Sequence, residues 1–502
     1  MSTEKKAQSR AQRDENRRRE EQKDRRAMTL YTVIGVVVVV AAVVLMFWNS
    51  GVLQRNLTAV NINGTKYTAA DLQYYYTSLY SRHANRYDFL PTASVKDQVY
   101  DQETGQSWHD YLLDQAVEQL ANNTALAARA SSEGYALSQE AQTDLDATLA
   151  QLNSSWISGY ASRDAFIRAN FGSHMTYDRL VTLLNLEFLA SDYADSRLAA
   201  ITHPDTDYEG YYQDNAGSLD TYVYTLLTFQ ASVPTTDGQG NPVTMTDGEK
   251  AAALEEQKTA KKALAEEVKA KLEGGADPEA LAESYADDLY SSDLSRRASG
   301  SSVSTSAYAE WLMDSSRRAG DVTLAEWESS DSCYYYVALF HDRFRDEEPT
   351  HSVRHILVRA GTGTGTPTQE EYDEAEEKAQ SLLDQWESGE ATEDSFATLA
   401  STESADSGSA ANGGLIANIT PASSYVEPFK NWATDSARKA GDAELVKSDY
   451  GWHIMYYVST DDPVWRQTAG SALQDQDYEA LTGEVTQGWE ISRGAGISFI
   501  GV

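Results

Sequence analysis

Two histidines of this chain fall inside one short β-prone run, His351 and His355 in "HSVRHILVRA", and a third, His453, inside another, "YGWHIMYYV". A titratable ring between Val353 and Ile356 occupies a place where a core strand would ordinarily carry an aliphatic side chain. Imidazole changes charge near neutrality and can donate or accept at either nitrogen, so such a ring can serve a hydrogen-bond network, proton transfer or a metal. His351 and His355 are four apart on a predicted strand and share a face, which would suit a metal pair. No third ligand lies at useful spacing, so neither a metal nor a cofactor is expected. Asp406, in "ADSGS", reads from its neighbours alone as a turn or cap residue.

The elements that must hold these residues occur twice. "SVRHILV" leads through the flexible "AGTGTGTPT" into a helix opened by Thr368 and Glu371, with Tyr372, Ala375, Ala379, Leu382, Leu383 and Trp386 at helical spacing. Earlier, "TYVYTLLTF" leads through a Gly/Pro/Thr loop into a helix opened by Thr246 and Glu249 and stopped at Gly274. Three collinear matches support a repeat: "LAESYADD" with "LASTESAD", "DSSRRAGD" with "DSARKAGD", and "SDSCYYYV" with "SDYGWHIM". They imply two copies of one α+β domain. Upstream, Asn63-Gly64 marks a hairpin turn, Thr68 and Asp71 a capping box, and Ser107 to Gly134 a long amphipathic helix. Helical pattern continues to about residue 200.

Charge is divided unevenly along the chain. Residues 1–28 carry 10 Lys/Arg against 6 Asp/Glu, leaving 31 against 71, or −40, for the remainder. Between the two lies Met28 to Trp48, 21 residues without a charge, about what is needed to cross a hydrocarbon core. Basic residues on its N-terminal side favour keeping that end in the cytoplasm and exporting the rest. No small-residue cleavage site follows the apolar run, so an uncleaved anchor is expected rather than a signal peptide. Cys333 is the single cysteine, which excludes an intramolecular disulfide and suits export by a bacterium with a single membrane. The acidic exterior argues against nucleic-acid binding.

In the second copy "SVRHILV", "FATLASTESAD", "NGGLI", "VEPF" and "YGWHIMYYV" fall in the order and spacing of the parvulin family of peptidyl-prolyl isomerases, over about residues 350–460. With the anchor, the helical region and a closing helical tail, the chain resembles extracytoplasmic foldases of the PrsA and SurA types. The resemblance implies an α+β fold with one N-terminal transmembrane helix, a mainly helical chaperone domain and two tandem parvulin-like domains. The expected boundaries are a basic tail at 1–27, the anchor at 28–48, the helical domain at 49–215, a degenerate parvulin-like copy at 216–345, the isomerase copy at 349–460, and a helical segment at 461–502 returning to the chaperone domain.

Carried over by position, the resemblance pairs His355 with His453, gives them Asp406 as polar partner, and places Leu415, Tyr425 and Phe429 around the substrate proline. The sequence departs from the family in "GGLIAN", which lacks the usual acidic residue and last glycine, and in Tyr425-Val426, where methionine and glutamine are common. These changes bear on substrate preference and rate. By the same comparison the first copy has Thr225 at the place of His355, Tyr335 at that of His453, and Asp288 at that of Asp406, so it is expected to be inert. The implied partners are the membrane and unfolded or newly exported polypeptides with X-Pro bonds. The alternatives are a non-catalytic holdase and an envelope or secretion assembly factor using parvulin folds as scaffold.

Overall fold

The computed structural model describes residues 51–236, 243–329, 331–361 and 366–501. The basic tail and the apolar run Met28 to Trp48 lie outside them. Among the described residues no helix is long and apolar enough to cross a membrane. The described residues form a mixed α+β structure in two compact units, one made of residues up to 202 together with 475–501, the other of 203–474.

The first unit begins with α1 (Val52–Asn56) and a hairpin, β1 (Thr58–Ile62) and β2 (Thr65–Thr68). Asn63 and Gly64 turn it with φ of 47° and 90°, as an Asn-Gly pair favours. Then follow α2 (Ala69–Asn85), α3 (Trp108–Ser132), α4 (Gln139–Ser154), α5 (Arg163–Phe171) and α6 (Tyr177–Leu198). The Thr68 and Asp71 capping box opens α2, and Arg179 of α6 bonds both Asp71 oxygens at 2.8 and 2.6 Å, so one carboxylate caps a helix and ties it to another. Ser107 caps α3. Leu72, Tyr75, Tyr76, Leu112, Leu120 and Leu180 fill the core.

The second unit holds two four-stranded sheets. α7 (Asp205–Leu219) enters β3 (Thr221–Ser232), followed by α8 (Asp247–Glu273), α9 (Pro278–Ser284), β4 (Leu289–Ser299), α10 (Gly300–Val303), α11 (Ala309–Met313), β5 (Val322–Glu328) and β6 (Ser332–Phe344). The second copy runs β7 (Thr350–Arg359), α12 (Gln369–Glu387), α13 (Glu393–Glu403), α14 (Ser407–Ala410), β8 (Leu415–Ile419), α15 (Glu427–Ala433), β9 (Ala443–Ser448) and β10 (Gly451–Asp461), the same strand order with a short helix before its second strand where the first copy has one after it. Both sheets are antiparallel with equivalent order, β4-β3-β6-β5 and β8-β7-β10-β9. Capping boxes at Thr246 and Thr368 start the long helices. Each helix covers one sheet face; in the second copy Ala375, Ala379, Leu382, Leu383 and Trp386 pack on Ile356 and Ile454. Alternation along β7 and β10 therefore turns His355 and His453 toward the opposite face.

After β10 the chain runs through α16 (Val464–Thr486) back into the first unit, where β11 (Ile491–Arg493) pairs antiparallel with β1, Val60 opposite Arg493. Gly494 and Gly496 let this return lie against the β1 backbone, since a Cβ at either would meet Thr58 or Leu57 oxygen within 2.6 Å. Ile500 is buried in the same core.

Candidate functional site

β7 and β10 are neighbours, with His355 opposite Met455 and His453 opposite Leu357. That two-residue stagger sets the rings side by side on one face, centroids 5.4 Å apart. Their Nδ1 atoms are 3.2 Å apart. His355 Nε2 lies 2.9 Å from Asp406 Oδ2 and 3.1 Å from Ser409 Oγ. His453 Nε2 lies 2.8 Å from Ser448 Oγ. Both rings are almost fully buried, at 3% and 5% exposure.

The partners fix the protons. Asp406 accepts from Ser409 Oγ at 2.6 Å and from Gly408 N–H at 3.2 Å. Burial raises its carboxyl, but these bonds and the one from His355 outweigh it and hold the group below its usual range. An ionised carboxylate only accepts, so His355 donates through Nε2 and accepts at Nδ1. His453 must then donate through Nδ1 and accept at Nε2, where the Ser448 hydroxyl donates. Burial lowers both imidazoles; Asp406 opposes this at His355, and the His355 ring adds to it at His453, which falls to about 4. The result at neutral pH is two uncharged rings in one hydrogen-bonded row ending on a carboxylate.

Local sequence explains the placement. Asp406 is also the N-cap of α14, so the cap reading and the ring-partner reading hold for one side chain. Gly414, at φ 72°, allows the loop to touch β7: the His355 N–H donates to Gly414 O at 2.9 Å, and a Cβ on Gly414 would lie 2.3 Å from His355 O. Phe429 of α15 packs its ring against both histidines, centroids 5.2 and 5.4 Å away, and Tyr425 sits 5.4 Å beyond it, 41% exposed. The site is thus an apolar wall backed by a neutral polar row.

Leu415 is not part of that wall. It pairs with Arg354, whose guanidinium reaches Glu393 of α13 at 2.9 Å, whereas the next residue, Ile416, pairs with Val353 and packs in the Phe429 cluster. Ser409 and Ser448 escaped sequence reasoning. Ser409 follows Asp406 by three in a capping pattern, a usable signal; Ser448 ends β9 and meets His453 only through the hairpin. His351 bonds Tyr457 Oη through Nδ1 at 2.7 Å, apart from the row that engages His355.

The first copy needs a register correction. In the second copy Gly441 N–H donates to Tyr457 O and Tyr457 N–H to Asp442 O; in the first, Gly320 and Asp321 make the same pair of bonds with Phe340. Tyr457 therefore corresponds to Phe340, and their partners Val353 and Tyr224 correspond too. Counting along the strands puts Leu226, not Thr225, at the place of His355 and Tyr336, not Tyr335, at that of His453. Thr225 instead bonds Leu294 O at 2.7 Å, and Tyr335 packs in the core beneath α8. Asp288 is drawn to Lys261 of α8 at 2.9 Å. Tyr224, Leu226 and Tyr308 are buried together where the second copy has its histidines and Phe429, so the polar row has no counterpart.

Residues 340–459 match the family model described as the PPIC-type PPIASE domain. The Chaperone SurA of Alkalilimnicola ehrlichii is 29% identical over 187 residues, which cover 37% of this chain and 40% of that protein; the chain thus spans less than half the length of this curated relative. Among solved structures, PrsA from Bacillus subtilis is 13% identical, covering 86% of this chain and 91% of its own at a TM-score of 0.24. The peptidylprolyl isomerase PrsA of Bacillus anthracis is 18% identical over 31% of this chain and 63% of its own at a TM-score of 0.18.

Proposed function

We propose, from a parvulin-type peptidyl-prolyl isomerase domain at residues 340–459, that the chain is a membrane-anchored extracytoplasmic foldase acting on X-Pro bonds of exported polypeptides. The observation that carries the reading is the row His453–His355–Asp406 behind Phe429. Amide resonance sets a barrier of about 18–20 kcal/mol to rotation about the X-Pro bond, and uncatalysed exchange takes tens of seconds or longer. No bond to the protein has to form. Phe429, Ile416 and Tyr425 hold the proline ring out of water, and the fixed dipoles of the neutral row favour the twisted amide over either planar form. Asp406 is hydrogen-bonded on both oxygens, which suits an electrostatic role better than a nucleophilic one.

The anchored part of the proposal rests on the apolar run Met28 to Trp48 and the charge asymmetry around it. The helical first unit and the segment 475–501 that completes it would hold client chains while their X-Pro bonds equilibrate. A protease-coupled assay on an Ala-Xaa-Pro-Phe peptide tests the enzymatic core: wild type should exceed background and His453→Ala should fall back to it. A wild type at background would leave the holdase reading. Fractionation tests the anchor: removal of residues 28–48 should move the chain out of the membrane fraction.

A further inference from the structure

His355 and Asp406 come from different parts of the second copy, and the bond between them holds only while the segment carrying Asp406 is pinned to β7. Residues 405–414 carry both Asp406 and Ser409. Their N-terminal end is tied to β7 by backbone, the Ala405 N–H donating to Leu357 O at 2.9 Å. Their C-terminal end meets β7 at Gly414, whose O accepts from the His355 N–H, and at one side chain, Arg354.

Arg354 precedes His355 and so leaves β7 on the other face. Nε donates to Glu393 Oε1 of α13 at 2.9 Å, and Nη1 donates to the carbonyls of Asn412 and Gly413, both at 3.1 Å. One planar fork thus joins β7, the start of α13 and the end of the segment, which the single ammonium of a lysine could not do at once. The approach is close: a Cβ on Gly413, where φ is 63°, would lie 2.9 Å from Nη1 and 2.7 Å from Ala397 Cβ of α13. From this clamp the bonds run back along the segment. The Gly413 N–H donates to Ala410 O and the Gly414 N–H to Ser409 O, and Ser409 Oγ donates to Asp406. Among the described residues Arg354 bonds neither histidine ring nor Asp406.

The first copy separates this arrangement from the needs of the fold. In the register set by Val353 and Tyr224, Thr225 takes the place of Arg354, and its hydroxyl bonds Leu294 O of β4. That sheet closes without a guanidinium, and that copy has no polar row.

We propose that Arg354 is the positioning residue of the histidine row: by clamping residues 412–413 it holds Asp406 where it keeps the proton on His355 Nε2. This rests on the reading that the row is catalytic, and its test separates the two. The full chain in detergent, labelled with ¹⁵N-histidine, is compared as wild type, Arg354→Met, Arg354→Lys, Asp406→Asn and the Arg354→Met, Asp406→Asn double variant. Ring ¹⁵N shifts, kcat and KM on an Ala-Xaa-Pro-Phe peptide, and thermal melts are measured on each.

Arg354→Met should lower kcat about tenfold with KM unchanged and make the His355 tautomer mixed, and Arg354→Lys should recover part of both. The double variant should be no slower than Asp406→Asn alone, because both changes act through one bond. Losses that multiply, a change confined to KM, or an unchanged His355 signal in a folded Arg354→Met chain would overturn the proposal. Arg354→Lys guards against misfolding of the methionine variant: wild-type kcat and tautomer with lysine in place would equally overturn it. A wild type without isomerase activity whose His355 signal still depends on Arg354 would overturn the catalytic reading and leave the clamp standing.

Discussion

The Nδ1 atoms of His355 and His453 face each other at 3.2 Å, and a single proton must lie between them. With Asp406 holding the His355 Nε2–H, that proton belongs to His453. A second proton on His355 would set two N–H groups against each other and break the row.

Activity should consequently be flat from about pH 8 to 6.5 and decline as the pH falls toward 4. Both rings have folded values below the ordinary 6.5, so the unfolded chain binds the extra protons first. Stability from this pair is complete above pH 6.5 and is lost as the pH falls through the folded values, with His453 alone contributing about 3 kcal/mol. A pH–rate profile and denaturant melts at pH 7 and 4.5 measure both. A rate that rises on acidification would contradict the neutral row.

Asp406→Asn keeps the size and an acceptor for Gly408 but lets the amide donate toward His355. Loss of a hydrogen bond to a charged acceptor is worth about 1.5–3 kcal/mol, which corresponds to about 10- to 100-fold in kcat/KM. ¹⁵N shifts of the two rings should show the His355 tautomer become mixed. Full activity in this variant would remove Asp406 from the site.

Ser448→Ala removes the donor to His453 Nε2 without touching the proline wall. We expect a fall of about 3- to 10-fold in kcat, from a neutral hydrogen bond of about 0.5–1.5 kcal/mol, with KM little changed. A change confined to KM would make Ser448 part of substrate binding instead.

His355→Ala with His453→Ala should abolish isomerisation by the whole chain, because Leu226 and Tyr336 stand at those places in the first copy. Any residual rate that disappears on mutating the first copy would show that copy to be active.

Gly414→Ala should destabilise the second copy by about 1–3 kcal/mol, since φ is positive and the methyl would collide with His355 O at 2.3 Å. Thermal melts and the isomerase assay should fall together.

Much of the scaffold was legible because its signals are local. Asn63-Gly64, Ser107 and the Thr-x-x-Glu boxes at 246 and 368 each satisfy backbone groups a few residues away, so the letters alone reveal them. His355, His453 and Asp406 were found through the ordered family fragments, and the structure brings them together. Three placements failed for one reason. Leu415, Thr225 and Tyr335 are each one residue from the position that faces the site, and in a strand a slip of one turns the side chain to the opposite face. Matching "SDSCYYYV" to "SDYGWHIM" by letters overlooked that the β5–β6 hairpin is longer than the β9–β10 hairpin, a difference only the pairing reveals.

The pairing of β11 with β1 also imposes an order of events. A chain synthesised from its N-terminus presents β1 long before residues 491–493 exist, and the edge of β1 that β11 will pair stays empty while more than four hundred further residues are made. Both sheets of the second unit are built from nearby strands and can close first. The first unit is therefore the last to mature, and a chain stopped at Asp461 should leave it open to protease while the two sheets resist.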